Sequence, residues 1–177
     1  MRYRYLLELV KEKQPKAILE IGTWNGRRAL EMLMASTDSK YYGFDLFEDA
    51  DAITDAEEKN VKPHYTLRGV KAYLDGFDVV LHKGNTRETL AKFNEPVDFV
   101  WLDGGHSIET IRSDWENVQR VLVPGAVVLF DDYYTGGIDT TKYGCNEIVK
   151  SLPHAVLPDA DPVAGGGLVH MVRVWAS

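Results

Sequence analysis

A single cysteine, Cys145, is all the thiol chemistry the chain carries. One thiol cannot close a disulfide within the chain, so a packed core has to hold the fold, and a reducing compartment is expected. No activating pattern surrounds Cys145, which reads as a packing residue. Long apolar runs are missing too. No stretch approaches the roughly 20 residues that a membrane-spanning helix needs, and the opening MRYRYLLELVKEK is too short and too interrupted for a signal peptide. A cytoplasmic location is expected. Positive charge is in deficit: 20 Lys and Arg stand against 27 Asp and Glu, for a net charge of −7. That balance argues against a nucleic-acid partner, because phosphate binding shows as a basic patch. Neither repeats, low-complexity tracts nor Pro/Ser-rich linkers interrupt the sequence. At 177 residues, one domain spanning 1–177 is expected.

What is present is an alternation of short β-branched runs and helix-like segments. Strands are predicted at AILEIG (17–22), YYGFDL (41–46), DVVLHKG (78–84), VDFVWLDG (97–104) and GAVVLFDD (125–132). Most are nearly continuous apolar runs, as parallel strands buried on both faces require. Ile108, Ile111, Trp115, Val118 and Leu122 recur at helical spacing, with Ser107 as cap and Pro124-Gly125 as terminator. Leu30, Leu33 and Met34 mark another helix after Gly26, and a further helix is expected within residues 2–13. HAVLP (154–158) and GLVHMVRVW (167–175) have only a short link between them, which predicts an antiparallel pair. Together these predict an α/β fold: a Rossmann-like, doubly wound, mostly parallel seven-stranded sheet with a C-terminal antiparallel hairpin and helices on both faces.

In such a sheet, ligands bind outside the carboxyl ends of the strands. Those ends are acidic here: Glu20, Asp45, Asp103, and the pair Asp131 and Asp132. A pyrophosphate would be repelled by that rim, whereas a ligand with positive charge and free hydroxyls would not. The loop Glu20-Ile21-Gly22-Thr23-Trp24-Asn25-Gly26 permits a tight strand-to-helix turn and close backbone approach. Its GxxxG spacing differs from the GxGxxG of dinucleotide enzymes. Asp45, at the next strand end, is placed to accept hydrogen bonds from a ribose.

ILEIGTWNG, YYGFDL, HKGNTRETL, and VDFVWLDGGH with VLVPGAVVLFDDY, resemble the successive motifs of class I S-adenosylmethionine-dependent methyltransferases. Within that group they are similar to the small-molecule O-methyltransferases that include the catechol and macrocin enzymes, over about residues 15–152. The resemblance implies S-adenosylmethionine as cofactor, with Gly22 and Gly26 along its methionine portion and Thr23 and Trp24 of the same loop also binding it. It implies Asp45 at the ribose, Asn85 and Thr86 beside the adenine, and Asp103 near the amino group; Glu20 acts by fixing the first loop. In the catechol-type enzymes, acids ending strands four and five bind Mg²⁺, and a basic residue three positions after the first acid takes the acceptor's proton. The matching residues are Asp103, Asp131 and Asp132 for Mg²⁺ or another divalent cation, and His106 in place of the catechol enzymes' lysine. Two carboxylates about 4 Å apart repel by roughly 4 kcal/mol at an effective dielectric near 20, so three converging acids must bind a cation, take up protons or point apart. Adjacent strand residues face opposite sides, however, so Asp131 and Asp132 converge only if the strand breaks there.

Many relatives carry an N-terminal helical lid, for which this chain has only about sixteen residues before the first strand. Recognition of a small hydroxylated acceptor is therefore expected from loops 47–66 and 133–146 or from a partner in a homo-oligomer. Trp24, Tyr133, Tyr134 and Tyr143 are candidate walls. Two further readings stay open on sequence alone: a noncatalytic module of the same fold, and an NAD-dependent dehydrogenase.

Overall fold

The computed structural model describes residues 2–175. Its centre is a seven-stranded sheet with strand order β3-β2-β1-β4-β5-β7-β6. The parallel part comprises β1 (Ala17–Ile21), β2 (Lys40–Asp45), β3 (Val79–Lys83), β4 (Val97–Leu102) and β5 (Leu122–Thr135). β6 (His154–Val163) and β7 (Gly167–Val174) form the closing hairpin, and β7 lies antiparallel between β5 and β6. Chain order reverses between β1 and β4, which places the crevice above their carboxyl ends.

Side chains alternate across each strand, so every central strand feeds two cores. Leu19, Ile21, Val100, Leu102, Val128 and Phe130 face one side, where Ile111, Trp115 and Val118 of α6 (Ile108–Gln119) cover them. Ile18, Phe99, Trp101 and Leu129 face the other, against Leu6 and Val10 of α1 (Arg4–Lys13) and Ala29, Met32 and Leu33 of α2 (Arg27–Ala35). The α2 stripe thus runs through Ala29 and Met32, and Met34 is 67 % exposed. Ser107 does cap α6, its hydroxyl accepting from the Thr110 amide at 3.2 Å. The helix ends at Gln119 and not at Pro124-Gly125, which fall within the first turns of β5. Leu122 therefore belongs to the strand.

Four shorter helices complete the connections: α3 (Ala52–Glu58), α4 (Leu67–Tyr73), α5 (Thr86–Thr89) and α7 (Gly144–Val149). α3 buries none of its residues. A reciprocal cap between Asp51 and Thr54 starts it, and polar contacts described below hold its end. Among the described residues no helix is long and apolar enough to cross a membrane.

Candidate active site

β5 breaks where two acids need it to. Asp132 has φ 57°, in the left-handed region, and the β5–β7 register shifts between Phe130 and Tyr133. The break turns both consecutive carboxylates to one side. Arg2 Nη2 then lies 2.8 Å from Asp131 Oδ2 and 3.5 Å from Asp132 Oδ1. His106 closes the far side, with Nε2 at 2.7 Å from Asp132 Oδ2. Asp103, Gly104 and His106 from the end of β4 line the same narrow cleft, of about 240 Å³, with Asp131, Asp132 and Tyr143.

Electrostatics in the cleft follow from burial and crowding. Burial pushes the Asp103 carboxyl well above its ordinary range, and the neighbouring Asp131 and Asp132 push it further. Asp131 is raised for the same reasons, burial first and Asp132 second, with Arg2 pulling back. Asp132 goes the other way: burial opposes ionisation, but its hydrogen bond and charge pairing with His106 outweigh it. His106 is correspondingly raised, burial being overcome by Asp132. Its Nδ1 lies 2.7 Å from the Glu58 carbonyl oxygen. A carbonyl only accepts, so Nδ1 carries a proton, and Nε2 donates to Asp132 when the ring is charged. Both ring nitrogens are engaged.

Oxygen donors of this kind suit a divalent ion chemically. Their arrangement does not present three free carboxylates, because the Arg2 guanidinium already stands against two of them. Among the described residues no group of three or more His, Cys, Asp or Glu side chains is set to hold a metal. The donor set fits a cation, and the cation in place is Arg2.

Next to the cleft opens a larger pocket, of about 1110 Å³ when the open solvent at its mouth is included. Its floor is the end of β1 and β2, where Asp45 holds two strained turns at once. Trp24 and Phe47 both have φ 51°, and their amides donate to Asp45 Oδ2 at 2.8 Å and Oδ1 at 2.7 Å. Two left-handed non-glycine residues would each cost about 1–3 kcal/mol without such support. Gly22 crosses the end of β4 so closely that a Cβ there would lie 2.1 Å from the Asp103 carbonyl oxygen. Asn85 caps α5, and with Thr86 it forms the opposite edge.

A roof comes from the segment after β2. Thr54, Glu58, Asn60, Lys62 and Tyr65 all line the large pocket. Glu58 ties the roof down, accepting from the Ser107 amide at 2.8 Å, the Ser107 hydroxyl at 2.9 Å and the Thr110 hydroxyl at 2.5 Å. Trp24 Nε1 donates to the Pro63 carbonyl at 2.8 Å, and Lys62 sits over the Trp24 ring. Residues from this segment thus line the large pocket, and the Glu58 carbonyl also reaches His106 of the cleft. Of the other expected loop, Tyr143 reaches the acidic cleft and packs against Tyr134, ring centres 4.2 Å apart. Tyr133 instead packs toward the core.

Of the residues singled out in sequence, Gly22, Trp24, Asp45, Asn85, Thr86 and Asp103 line the large pocket together. Three stand behind it. Glu20 and Thr23 are buried, and Glu20 accepts from the Tyr41 hydroxyl. Alternation along β1 turns Glu20 toward the α1 and α2 side, away from any ligand. Gly26 is the left-handed residue that starts α2. Arg2, Glu58 and Lys62 were missed. Arg2 and Glu58 sit far along the chain from the groups they meet, and nothing local marks them.

A sheet in this order, with an acid at each central strand end and a large pocket over the reversal point, is that of an S-adenosylmethionine-dependent methyltransferase enzyme. The sequence model described as "Methyltransferase domain" matches residues 19–133, and the chain belongs to that family. No curated protein matches it in sequence. Solved structures share the fold at low identity. An O-methyltransferase from Bacillus cereus, solved with S-adenosylhomocysteine, is 19% identical with a TM-score of 0.64, the match covering 97% of this chain and 79% of that one. TomG of Streptomyces achromogenes, an O-methyltransferase of tomaymycin synthesis solved with S-adenosylmethionine, is 17% identical at TM-score 0.66, covering 98% and 78%. An rRNA methylase from Streptococcus thermophilus is 15% identical at TM-score 0.67, covering 99% and 98%.

Proposed function

We propose that the protein transfers a methyl group from S-adenosylmethionine to a hydroxyl oxygen of a small molecule. One observation carries this reading: the large pocket and the acidic cleft share Asp103, Gly104, Gly105 and His106 as a common wall. A methyl donor in the first meets an acceptor in the second across that wall. S-adenosylmethionine supplies an electrophilic methyl on a cationic sulfur. Asp45 keeps a second lone pair on each oxygen for ribose hydroxyls, beyond the amides it already accepts. Trp24, Asn85 and Thr86 enclose the adenosine portion, and Asp103 suits the amino group. Lys62 is the cation at hand for the carboxylate, because the Gly22, Trp24 and Gly26 amides are already bonded within the protein.

As the acceptor oxygen bonds to the methyl carbon, the carbon–sulfur bond breaks and S-adenosylhomocysteine leaves. His106 takes the hydroxyl proton on Nε2 when the ring is neutral and that nitrogen has turned from Asp132 to the acceptor, and Asp132 stabilises the imidazolium formed. The narrow acidic cleft and the net charge of −7 favour a small neutral or cationic acceptor over RNA. A second reading has a divalent ion at Asp103, Asp131 and Asp132 orienting the acceptor. The convergence of the acids favours it, and it requires Arg2 to withdraw.

The test combines calorimetric titration of S-adenosylhomocysteine with assay of labelled methyl transfer to a panel of phenols, diols and sugars. His106→Ala is expected to keep cofactor affinity and lose about 10²–10⁴ in rate. Binding without transfer to any panel member would favour a noncatalytic module. An unaltered rate in His106→Ala refutes the proton acceptor assigned here.

A further inference from the structure

Arg2, which stands against the cleft acids Asp131 and Asp132, has no role in methyl transfer as drawn. Its placement is not that of a loose chain end. The side chain is 12 % exposed, and its Asp131 partner is fully covered. Nη2 lies 2.7 Å from the Tyr3 hydroxyl oxygen, and the guanidinium carbon sits 4.8 Å from the Tyr3 ring centre. Tyr3 in turn is set edge-on against the fully buried Trp101, with Arg28 over its ring at 4.1 Å. The N-terminal segment is therefore built to deliver a guanidinium to Asp131 and Asp132.

That delivery has a consequence for metal binding. A divalent ion needs the same carboxylate oxygens, free and turned toward one point. A guanidinium presents donors in a fixed fork, stays charged at all working pH values, and neutralises acids without a hydration shell. The two cations claim one place, so binding of either opposes the other. We propose that Arg2 is the resident cation of this cleft and a positioning residue for the reaction, neutralising the carboxylates that the strand break turns inward and closing Asp103, Asp131 and Asp132 to divalent ions. Its effect on the reaction rests on the methyl-transfer reading, with the cleft as the acceptor end of the site. The exclusion of ions does not.

The decisive experiment titrates the protein with Mn²⁺, following free ion by electron paramagnetic resonance. Wild type is expected to show no saturable binding that Asp131→Asn abolishes. Arg2→Ala leaves the acids uncompensated and is expected to show a saturable Mn²⁺ site, on the order of tenfold or more tighter than any residual binding by wild type, the size of an ordinary coupling between competing ligands. Arg2→Lys, which keeps a cation, stays close to wild type. Combining Arg2→Ala with Asp131→Asn removes the gain. A wild-type protein that already binds Mn²⁺ through Asp131 overturns the proposal, as does a folded Arg2→Ala protein with no gain. If Arg2→Ala does not fold, the wild-type and Asp131→Asn titrations decide by themselves. S-adenosylhomocysteine titration of the same proteins keeps the two ideas apart: its failure to bind wild type refutes the methyltransferase site and leaves the Mn²⁺ comparison standing.

Discussion

Gly22→Ala tests how the two halves of the site are joined. At Gly22 the backbone has φ +90°, and an added Cβ would meet the Asp103 carbonyl oxygen at 2.1 Å, its carbonyl carbon at 2.6 Å and Gly104 Cα at 2.9 Å. All three are backbone atoms, so no side chain can swing aside. Two penalties add: about 1–2 kcal/mol for a left-handed alanine and about 1–3 kcal/mol for overpacking against a neighbour that must move. Gly76 separates them. It has φ +93° with nothing within 4 Å of its Cβ position, so Gly76→Ala carries only the conformational penalty. For a chain of this size each kcal/mol lowers the melting temperature by about 2–4 °C. Gly76→Ala should then lose about 2–8 °C, and Gly22→Ala roughly 4–20 °C, the larger loss by the overpacking penalty. Because the shift displaces Asp103 and Gly104, Gly22→Ala should also weaken S-adenosylhomocysteine binding, and Gly76→Ala should not. Equal melting temperatures for the two variants would refute the close crossing of the Gly22 loop over β4.

Asp45→Asn replaces one oxygen that accepts from Trp24 or Phe47 by an amide that donates, leaving a donor facing a donor. It should weaken S-adenosylhomocysteine binding by on the order of 1–3 kcal/mol in calorimetry, and unchanged affinity would place the ribose elsewhere. Glu20 gives a pH signature. Burial, opposed by the Tyr41 hydrogen bond, raises its carboxyl from 4.5 to about 8. The folded state keeps a proton that the unfolded state gives up above its own value, so stability is fully present at low pH and declines as pH rises through about 8, by up to about 1.4 kcal/mol per pH unit. Glu20→Gln should flatten that decline in urea midpoints measured from pH 5 to 9; the part due to buried Asp114, raised to about 7, remains. A decline as steep as that of wild type would show that Glu20 is ionised in the fold.

Much of the sheet was legible because parallel strands buried on both faces must be mostly apolar, and the centres of β1, β2, β4 and β5 are. The hairpin was legible from its short connection, though β6 runs on to Val163, five residues beyond the expected HAVLP. What escaped were the short helices: α3 buries no residue, α5 has only four, and α7 buries Cys145, Ile148 and Val149 over only six, too few to leave a periodic trace. Asp51 and Asn85 cap the starts of α3 and α5 locally, while Glu58 ties the end of α3 to Ser107 and Thr110, about 50 positions away.

The site divides along the same line. Acids at strand ends could be read from sequence because the topology sends every strand end to one crevice. Convergence of Asp131 and Asp132 could be read only as a condition, that the strand break there, and the left-handed Asp132 meets it. The counter-charge could not be read at all. A long side chain answers buried acids from wherever its backbone passes, and Arg2 does so from 129 positions away. An acidic rim therefore identifies where a cation must be without saying whether it comes from solution or from the chain. For this cleft the distinction decides the chemistry: a divalent ion would lend open positions to the acceptor, while an arginine lends only donors and fixed charge. The guanidinium beside Asp131 makes the second account the one that the local electrostatics support.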